Sequence, residues 1–307
     1  MSDLQTVVTF LFFPSGLFVM LYGMAYEWAD RKVVARLQNR IGPRWFQPLA
    51  DMVKLLSKEE IEPAGVNRLL FVGLPLVGLA GAMTASLYVP LAGLKPPASF
   101  TGDLIVVLYL LSLLTICIGL AGTITPNRFS MIGSTRVLTQ VFSYEAPFLL
   151  ALIGPAMAAG SWTIGNINFY ASSHWLLLTQ PLGFVVALIG LMGKLELPPF
   201  DAPEAETEIV AGSLTEYSGR GLALFKLGKA VELIVGLTLV AAFFLGGINN
   251  PLEFLLKTLG LLFVMAGISA LMTRFRIDQV VRWWRYGALL VLGQMLVIIA
   301  WQIWKGL

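Results

Sequence analysis

Long apolar runs separated by shorter polar segments set the pattern of this chain. A membrane-spanning helix needs about 20 mostly apolar residues, and eight runs of roughly that length can be read from the sequence. The predicted spans are Val7–Tyr26, Leu69–Leu91, Leu104–Thr125, Val137–Ala159, Leu176–Leu195, Val231–Gly247, Leu252–Thr273 and Tyr286–Trp304. The pattern therefore predicts an all-α membrane protein, with residues 1–307 forming a single polytopic domain of eight transmembrane helices.

One helical pattern is too short and too charged to cross a bilayer. In residues 45–59, WFQPLADMVKLLSKE, apolar side chains recur at helical spacing, while Asp51, Lys54 and Lys58 take the other face. This spacing predicts an amphipathic helix lying along the membrane interface after the first span. A simple surface anchor and a docking or site-forming element are equally good interpretations of it.

Composition agrees with a membrane protein and narrows the chemistry. The chain is 57% hydrophobic and 13% charged, whereas soluble domains carry about 25% charged residues. Cys117 is the only cysteine and His174 the only histidine. These counts exclude a disulfide framework, haem ligation by paired histidines, and a Cys/His cluster for iron–sulfur or zinc. We therefore expect no metal or cofactor in the chain itself, and no nucleic-acid partner.

Lys and Arg are distributed unevenly among the predicted loops. Eighteen of the 21 follow the first, third, fifth and seventh spans, and only Lys95, Lys257 and Lys305 lie toward the other side. The positive-inside rule then places the odd-numbered loops in the cytoplasm and both termini outside a cell (inner) membrane. The basic loops could face anionic membrane lipid or dock a peripheral partner, and charge alone does not separate these two interpretations.

The most acidic stretch, residues 194–229, is predicted to be a cytoplasmic coupling loop between the fifth and sixth spans. Asp201, Pro203 and Glu204 have the spacing of a capped helix start. The remaining carboxylates need another explanation, because closely spaced carboxylates in a low-dielectric setting can hold and pass protons at neutral pH. A solvated acidic surface is the alternative.

Glu145 lies inside the fourth predicted span, about 13 Å along it at 1.5 Å per residue. Ionisable groups at such depth are costly and by default indicate an ion or proton path. Lys229 and Glu232 are three residues apart on one helical face, where an interfacial salt bridge explains them as well as a relay does. The expected proton or ion path comprises Glu145, Asp201, Glu204, Glu206, Glu208, Glu216, Lys229 and Glu232.

Four stretches together resemble one family: residues 27–59, 127–147, 198–219 and 274–279. They resemble the proximal membrane subunit of respiratory complex I (NADH dehydrogenase subunit 1) and its relatives in group 4 membrane-bound NiFe hydrogenases. The motif PFDxPEAExE–VAG–xxEYSG, read here in PPFDAPEAETEIVAGSLTEYSG, is highly specific. With the hydropathy pattern, the resemblance covers nearly the whole chain.

The resemblance implies a subunit at the junction between a peripheral redox arm and an ion-pumping membrane arm. Such a subunit is not catalytic alone but belongs to an oxidoreductase complex that translocates protons or sodium ions. Its implied partners are peripheral iron–sulfur and large hydrogenase-like subunits, which would carry iron–sulfur clusters and a NiFe centre, and antiporter-like membrane subunits. Residues implied in arm docking or quinone binding are Glu27, Asp30, Arg31, Arg36, Trp45, Arg274, Arg276 and Asp278.

One departure from the complex I pattern bears on the reaction. Complex I versions carry a longer loop with two Gly-Pro turns, whereas NRIGPRWFQPLAD has the single turn Gly42–Pro43. The short form resembles the hydrogenase or sulfur-reducing branch, which we expect here. The alternative is the quinone-chamber subunit of an NADH- or ferredoxin-quinone oxidoreductase. A free-standing carrier is disfavoured because no internal repeat is evident, and a purely structural anchor leaves Glu145 unexplained.

Overall fold

A computed structural model describes residues 11–305, so the first predicted span, Val7–Tyr26, lies partly outside the described residues. Within that range the chain is helical, with connecting loops and no strand. The helices are α1 (Gly16–Leu37), α2 (Gln47–Ser57), α3 (Arg68–Ser86), α4 (Asp103–Thr123), α5 (Arg128–Ala159), α6 (Ile164–Ser173), α7 (Leu176–Thr179), α8 (Pro181–Lys194), α9 (Glu206–Ile209), α10 (Gly219–Phe244), α11 (Pro251–Leu271) and α12 (Ile277–Lys305).

Six of the helices in the described range are long and apolar enough to cross a membrane: α3, α4, α5, α10, α11 and α12. The other two predicted spans correspond to α1 and to the broken pair α7–α8. The break falls at Gln180–Pro181, because proline disfavours helical geometry in the residue before it. α8 has 14 residues, about 21 Å, which is shorter than the ~30 Å hydrocarbon core. The all-α fold is confirmed, and the count of eight spans stays a prediction.

α10 lies at the centre of the helix packing. Its part after Glu232 is uncharged and buried on all sides up to Phe244, as expected for a helix surrounded by protein, and α10 packs against α1, α3 and α11 among others. The contact with α1 is especially close at Gly23, where a Cβ atom would lie 2.5 Å from the carbonyl oxygen of Ala230. α10 also begins at Gly219, three turns before its predicted span, so Lys229 and Glu232 are inside the helix rather than at its start.

α5 is the longest helix in the described part of the chain, with 32 residues, or about 48 Å. It packs against α4, α8 and α12. Its N-terminal half approaches the loop closely enough that a Cβ on Gly133 would collide with Ser213. One helix therefore carries Glu145 and also forms the surface on which the acidic loop lies.

α2 occupies the position predicted for the amphipathic helix. Met52 points inward and packs in a small cluster with Met24 of α1 and Ala223 of α10. Leu49 and Val53 are exposed, which fits the predicted contact with the membrane interface. The placement of α2 at that interface stays a prediction.

Candidate functional site

The acidic loop, residues 195–218 in the structure, is tied down through its carboxylates. Arg274 donates to Asp201 at 2.6 Å, and Arg136 donates to Glu208 at 2.9 Å. Glu216 accepts from the side-chain amide of Asn127 at 2.5 Å. Glu208 and Glu216 therefore fasten the loop to α5 and its N-cap residue, and Asp201 fastens it to the segment between α11 and α12.

The predicted helix start at Asp201–Glu204 is wrong. α9 begins at Glu206, and the residue before it, Ala205, offers no side-chain cap. Asp201 and Glu204 instead face the cations Arg274 and Lys229, with which they form charge-assisted pairs. The side chain of Glu206 lies outside the described part of the structure, so its role in the path stays a prediction.

At the inner end of the loop, Lys229 is shared between two carboxylates. Its Nζ lies 2.6 Å from Glu196 Oε2 and 2.5 Å from Glu204 Oε1. The Glu204 side chain is 49% exposed, whereas that of Glu196 is 2% exposed. Burial raises the pKa of Glu196, although Lys229 opposes this, and Lys229 holds the pKa of Glu204 below its usual value. Lys229 thus joins the half-exposed Glu204 carboxylate to the buried Glu196 carboxylate.

A second buried cation lies deeper in the molecule. Lys194, the last residue of α8, is 1% exposed. Its Nζ donates to Ser112 Oγ at 3.0 Å and lies 3.5 Å from Glu145 Oε2. Ser112 in turn donates to the other carboxylate oxygen of Glu145. The Glu145 carboxylate is therefore held by a hydroxyl and an ammonium group of the protein.

Glu232 lies between these two cations. It is 1% exposed, follows Lys229 by three residues on α10, and interacts electrostatically with Lys194 and Lys229 as well as with Glu196 and Glu145. Its Oε1 atom has no hydrogen-bond partner among the described residues. The interfacial salt bridge between Lys229 and Glu232, one of the two interpretations of their spacing, is not formed, because Lys229 binds the loop carboxylates instead.

These residues form one group, called here the interior row. Its members, in the order of their interactions from the exposed Glu204 onward, are Glu204, Lys229, Glu196, Glu232, Lys194 and Glu145. The interior row holds four carboxylates and two ammonium groups. Full ionisation would leave uncompensated negative charge in a buried setting, which favours the binding of protons.

The structure brings together only part of the predicted path. Four predicted members lie in the interior row, whereas Asp201, Glu208 and Glu216 hold the loop in place. Sequence reasoning missed Lys194 and Glu196 as members. The signal was available, because Lys194 is the first charge after the uninterrupted apolar run that begins at Pro181.

The residues predicted for docking or quinone binding lie in two groups. On α1, Glu27 pairs with Arg31 near the surface, and burial raises the pKa of Asp30 to about 6. Trp45 is 75% exposed at the start of the α2 segment, and Arg36 lies in the last turn of α1. Arg274, Arg276 and Asp278 lie at the junction of α11 and α12.

The two groups approach the loop from different helices. Arg31 and Lys226 both act electrostatically on Glu204, so the end of α1 lies near the exposed end of the interior row. Arg274 is engaged by Asp201. Among the described residues, no three His, Cys, Asp or Glu side chains are grouped so that they could hold a metal ion.

A family model described as NADH dehydrogenase matches residues 10–300. The match covers nearly the full length of the chain, including the carboxylate-rich loop and the buried charges described above. The chain belongs to the NADH dehydrogenase family, as the resemblance of its motifs predicted.

The chain is similar to proteins of known name and structure. It is 37% identical over 292 residues to the H subunit of NADH-quinone oxidoreductase from Thermomicrobium roseum, covering 85% of this chain and 86% of that protein. It is 34% identical to the H subunit of the same enzyme from Syntrophotalea carbinolica, covering 91% of each. A chain in the structure of the membrane-bound sulfane sulfur reductase, an archaeal respiratory membrane complex, superposes with a TM-score of 0.84 at 22% identity, covering 96% of this chain and 98% of that chain. At that identity the structural likeness shows a shared fold.

Proposed function

We propose that this chain is a membrane subunit of a redox-driven ion pump of the complex I type, and that the interior row couples the two arms. The observation that carries the proposal is the row itself, which joins half-exposed Glu204 to Glu145 inside α5. Ionisable groups at membrane depth are expensive and usually functional. The names of the relatives, which are H subunits of NADH-quinone oxidoreductases, fit such a role.

The chain's own chemistry would be the movement of charge and protons. Lys229 is held by Glu196 and Glu204 together, so a change of charge beside Glu204 alters how strongly Glu196 is neutralised. Glu232 interacts with both lysines and would respond next, followed by Lys194 and its partner Glu145. Electrons would stay in docked subunits that carry iron–sulfur clusters, and this chain would pass only the electrostatic change and protons.

The same proposal accounts for the surroundings of the interior row. The exposed end, near Glu204, Arg31 and Lys226, would face the peripheral iron–sulfur and large subunits. The membrane-facing side would contact lipid and antiporter-like subunits. We infer that α1 and the α7–α8 pair also cross the membrane, which gives eight crossings with both termini outside.

For the terminal acceptor we propose protons or a sulfur species, as in the hydrogenase-like and sulfur-reducing branch. The loop after α1 is compact, because Lys32 donates to the carbonyls of Ile41 at 2.8 Å and Pro43 at 3.4 Å. Trp28 also donates to the Pro43 carbonyl at 3.3 Å. The single Gly42–Pro43 turn is thus held against α1, with no second turn to enclose a quinone.

A quinone-chamber subunit is the second candidate, favoured by the names of the relatives, which are H subunits of NADH-quinone oxidoreductases. A quinone-analogue titration of the purified complex separates the two proposals. For a proton- or sulfur-reducing complex we expect no saturable inhibition of turnover. Saturable inhibition would support the quinone reaction and overturn the preferred acceptor.

The coupling role is tested by Glu145→Gln in the intact complex. We expect electron transfer to continue while ion translocation falls to near zero, because the amide cannot take up a proton or carry the charge. Glu253→Gln is a matched control, since Glu253 lies in α11 and pairs only with its neighbour Lys257 among the cations described. Full coupling in Glu145→Gln would overturn the proposal.

A further inference from the structure

A buried glutamine braces the part of the chain that carries two members of the interior row. Gln140 of α5 is 1% exposed. Its Nε2 donates to the Gly193 carbonyl at 2.8 Å and to the Phe200 carbonyl at 2.8 Å. One side chain therefore joins the end of α8 to the first part of the acidic loop and closes residues 193–200 into a ring, called here the braced ring.

The braced ring contains Lys194 and Glu196, which have different partners. Lys194 faces Ser112 and Glu145, whereas Glu196 faces Lys229. Since only one residue separates them, the backbone of the ring sets how far each charge stands from its partner. Electrostatic interaction in a low-dielectric interior depends steeply on such distances.

The backbone of the ring is itself in an unfavourable conformation. Glu196 has φ of +55°, in the left-handed region that non-glycine residues rarely adopt. Such a conformation persists only when surrounding contacts hold it. Leu197 N donates to the carbonyl of Met192, the residue just before the ring, at 3.0 Å, and within the ring Phe200 N donates to the Leu197 carbonyl at 2.8 Å. Gln140 adds the connection to α5, the helix that carries Glu145.

We propose that Gln140 is a positioning residue for charge transfer along the interior row. It holds the braced ring in the conformation in which Lys194 and Glu196 face their partners at the same time. Displacement of the loop at Phe200 is also transmitted to Gly193, next to Lys194, because both carbonyls bind one amide. The inference rests on the proposed coupling function of the row.

Gln140→Met tests this role in the intact complex, because methionine has a similar size and no N–H donor. Gln180→Met is the matched control. Gln180 is 2% exposed, lies at the opposite end of α8 and donates to the Gly154 carbonyl at 3.2 Å. In both glutamines the Oε1 atom has no partner among the described residues. The readouts are ions translocated per electron pair and the pH profile of coupled turnover.

We expect Gln140→Met to keep electron transfer but to lower ion translocation per electron pair about fivefold, equivalent to roughly 1 kcal/mol at 1.4 kcal/mol per factor of ten. The pH profile of coupled turnover should shift, and Gln180→Met should match the parent in both readouts. Unchanged readouts in Gln140→Met, or equal losses in both variants, would overturn the inference.

Two further arms keep the result interpretable. If Gln140→Met does not assemble, Gln140→Asn replaces it, because the shorter amide cannot hold both carbonyls in their present positions, and the same expectations apply. Glu145→Gln is measured in parallel. Loss of coupling in Glu145→Gln with normal coupling in Gln140→Met rejects the positioning role alone, whereas retained coupling in Glu145→Gln rejects the proposed function.

Discussion

Lys194 is a buried cation, and its removal should lower the stability of the protein. Lys194→Met would leave Glu145 and Glu232 without their nearest deep cation, and breaking a buried pair costs about 3–5 kcal/mol. The double variant with Glu145→Gln should be less destabilised than Lys194→Met alone, because it also removes the unpaired carboxylate. The measurement is the unfolding midpoint of the purified complex.

The control for this cycle is Lys226→Met. The Lys226 side chain is exposed near the start of α10, so we expect a change within about 0.5 kcal/mol. If the double variant loses as much stability as the sum of the single variants, Lys194 and Glu145 do not interact energetically and the deep end of the interior row is wrongly described.

Asp30 should make stability depend on pH. Burial raises its pKa from 3.8 to about 6. Between these two pH values the folded state holds a proton that the unfolded chain has released. The resulting cost begins near pH 4, grows up to about pH 6 and is constant above that. Asp30→Asn removes it, and after allowance for solvent screening the gain should be about 1 kcal/mol larger at pH 8 than at pH 5.

Thermal unfolding of the complex at the two pH values measures this difference. Asp278→Asn is the control for loss of a negative charge, because Asp278 lies exposed in the first turn of α12. An equal gain in Asp30→Asn at both pH values would contradict the prediction.

At the scale of elements, Arg136 should control the mobility of the acidic loop. Arg136 donates to Glu208 at 2.9 Å and to the Ala202 carbonyl at 3.1 Å. Loss of bonds worth about 1 kcal/mol should raise amide exchange roughly fivefold in the loop. Hydrogen exchange of residues 201–210 in Arg136→Met gives the measurement. Arg128→Met is the control, because Arg128 is on the same helix but exposed, and it should leave that exchange unchanged. Equal exchange in both variants would mean that the bonds of Arg136 do not restrain the loop.

The packing of α1 on α10 should be sensitive to one methyl group. Gly23→Ala places a Cβ 2.5 Å from the Ala230 carbonyl oxygen, so one helix must move, at a cost of about 1–3 kcal/mol. Gly73→Ala in α3 is the matched control, because nothing lies within 4 Å of its Cβ. The control should be neutral or stabilising by up to about 1 kcal/mol. A midpoint for Gly23→Ala at or above that of the control would contradict the packing described.

The elements also show where sequence reasoning stops. Apolar runs predicted the spans because burial and helix formation both follow from hydropathy. They failed at Gly219, where α10 starts well before its apolar stretch because the first turns are covered by the acidic loop and α2. They also failed at Pro181, since a broken span has nearly the same composition as a continuous one.

The site was predictable to a similar degree. Glu145 stood out because a charge inside an apolar run has few explanations. Which loop carboxylates hold the loop in place and which join the interior row was not predictable. The difference depends on partners such as Arg136 and Arg274, which are distant in the sequence. Lys194 could have been found as the first charge after an apolar run, whereas the position of Glu196 depends on the braced ring rather than on helical spacing.

At the scale of the whole molecule, the interior row depends on elements that meet only in the folded chain. Ser112 comes from α4, Glu145 from α5, Lys194 from α8, and Lys229 and Glu232 from α10. The arrangement also bears on topology. α5 begins beside the loop, where its N-cap residue Asn127 meets Glu216. From Arg136, which meets Glu208, the helix runs about 35 Å away from the loop, and the chain has returned to the loop by residue 195. We infer that the α7–α8 pair crosses back as one span.

This inference predicts which positions share a side of the membrane. Ser57→Cys and Thr207→Cys should react with an impermeant maleimide in inside-out vesicles, because the eighteen basic residues of the odd-numbered loops favour the cytoplasmic side for this pair. Asn166→Cys and Asn249→Cys should react in right-side-out vesicles. All four positions are exposed, and buried Cys117 gives a silent background in the parent. Labelling after detergent solubilisation controls for shielding by docked subunits. Reaction of Ser57→Cys and Thr207→Cys on opposite sides would mean that α7–α8 does not return the chain across the membrane, and would contradict a row that runs from the cytoplasmic loop into the bilayer.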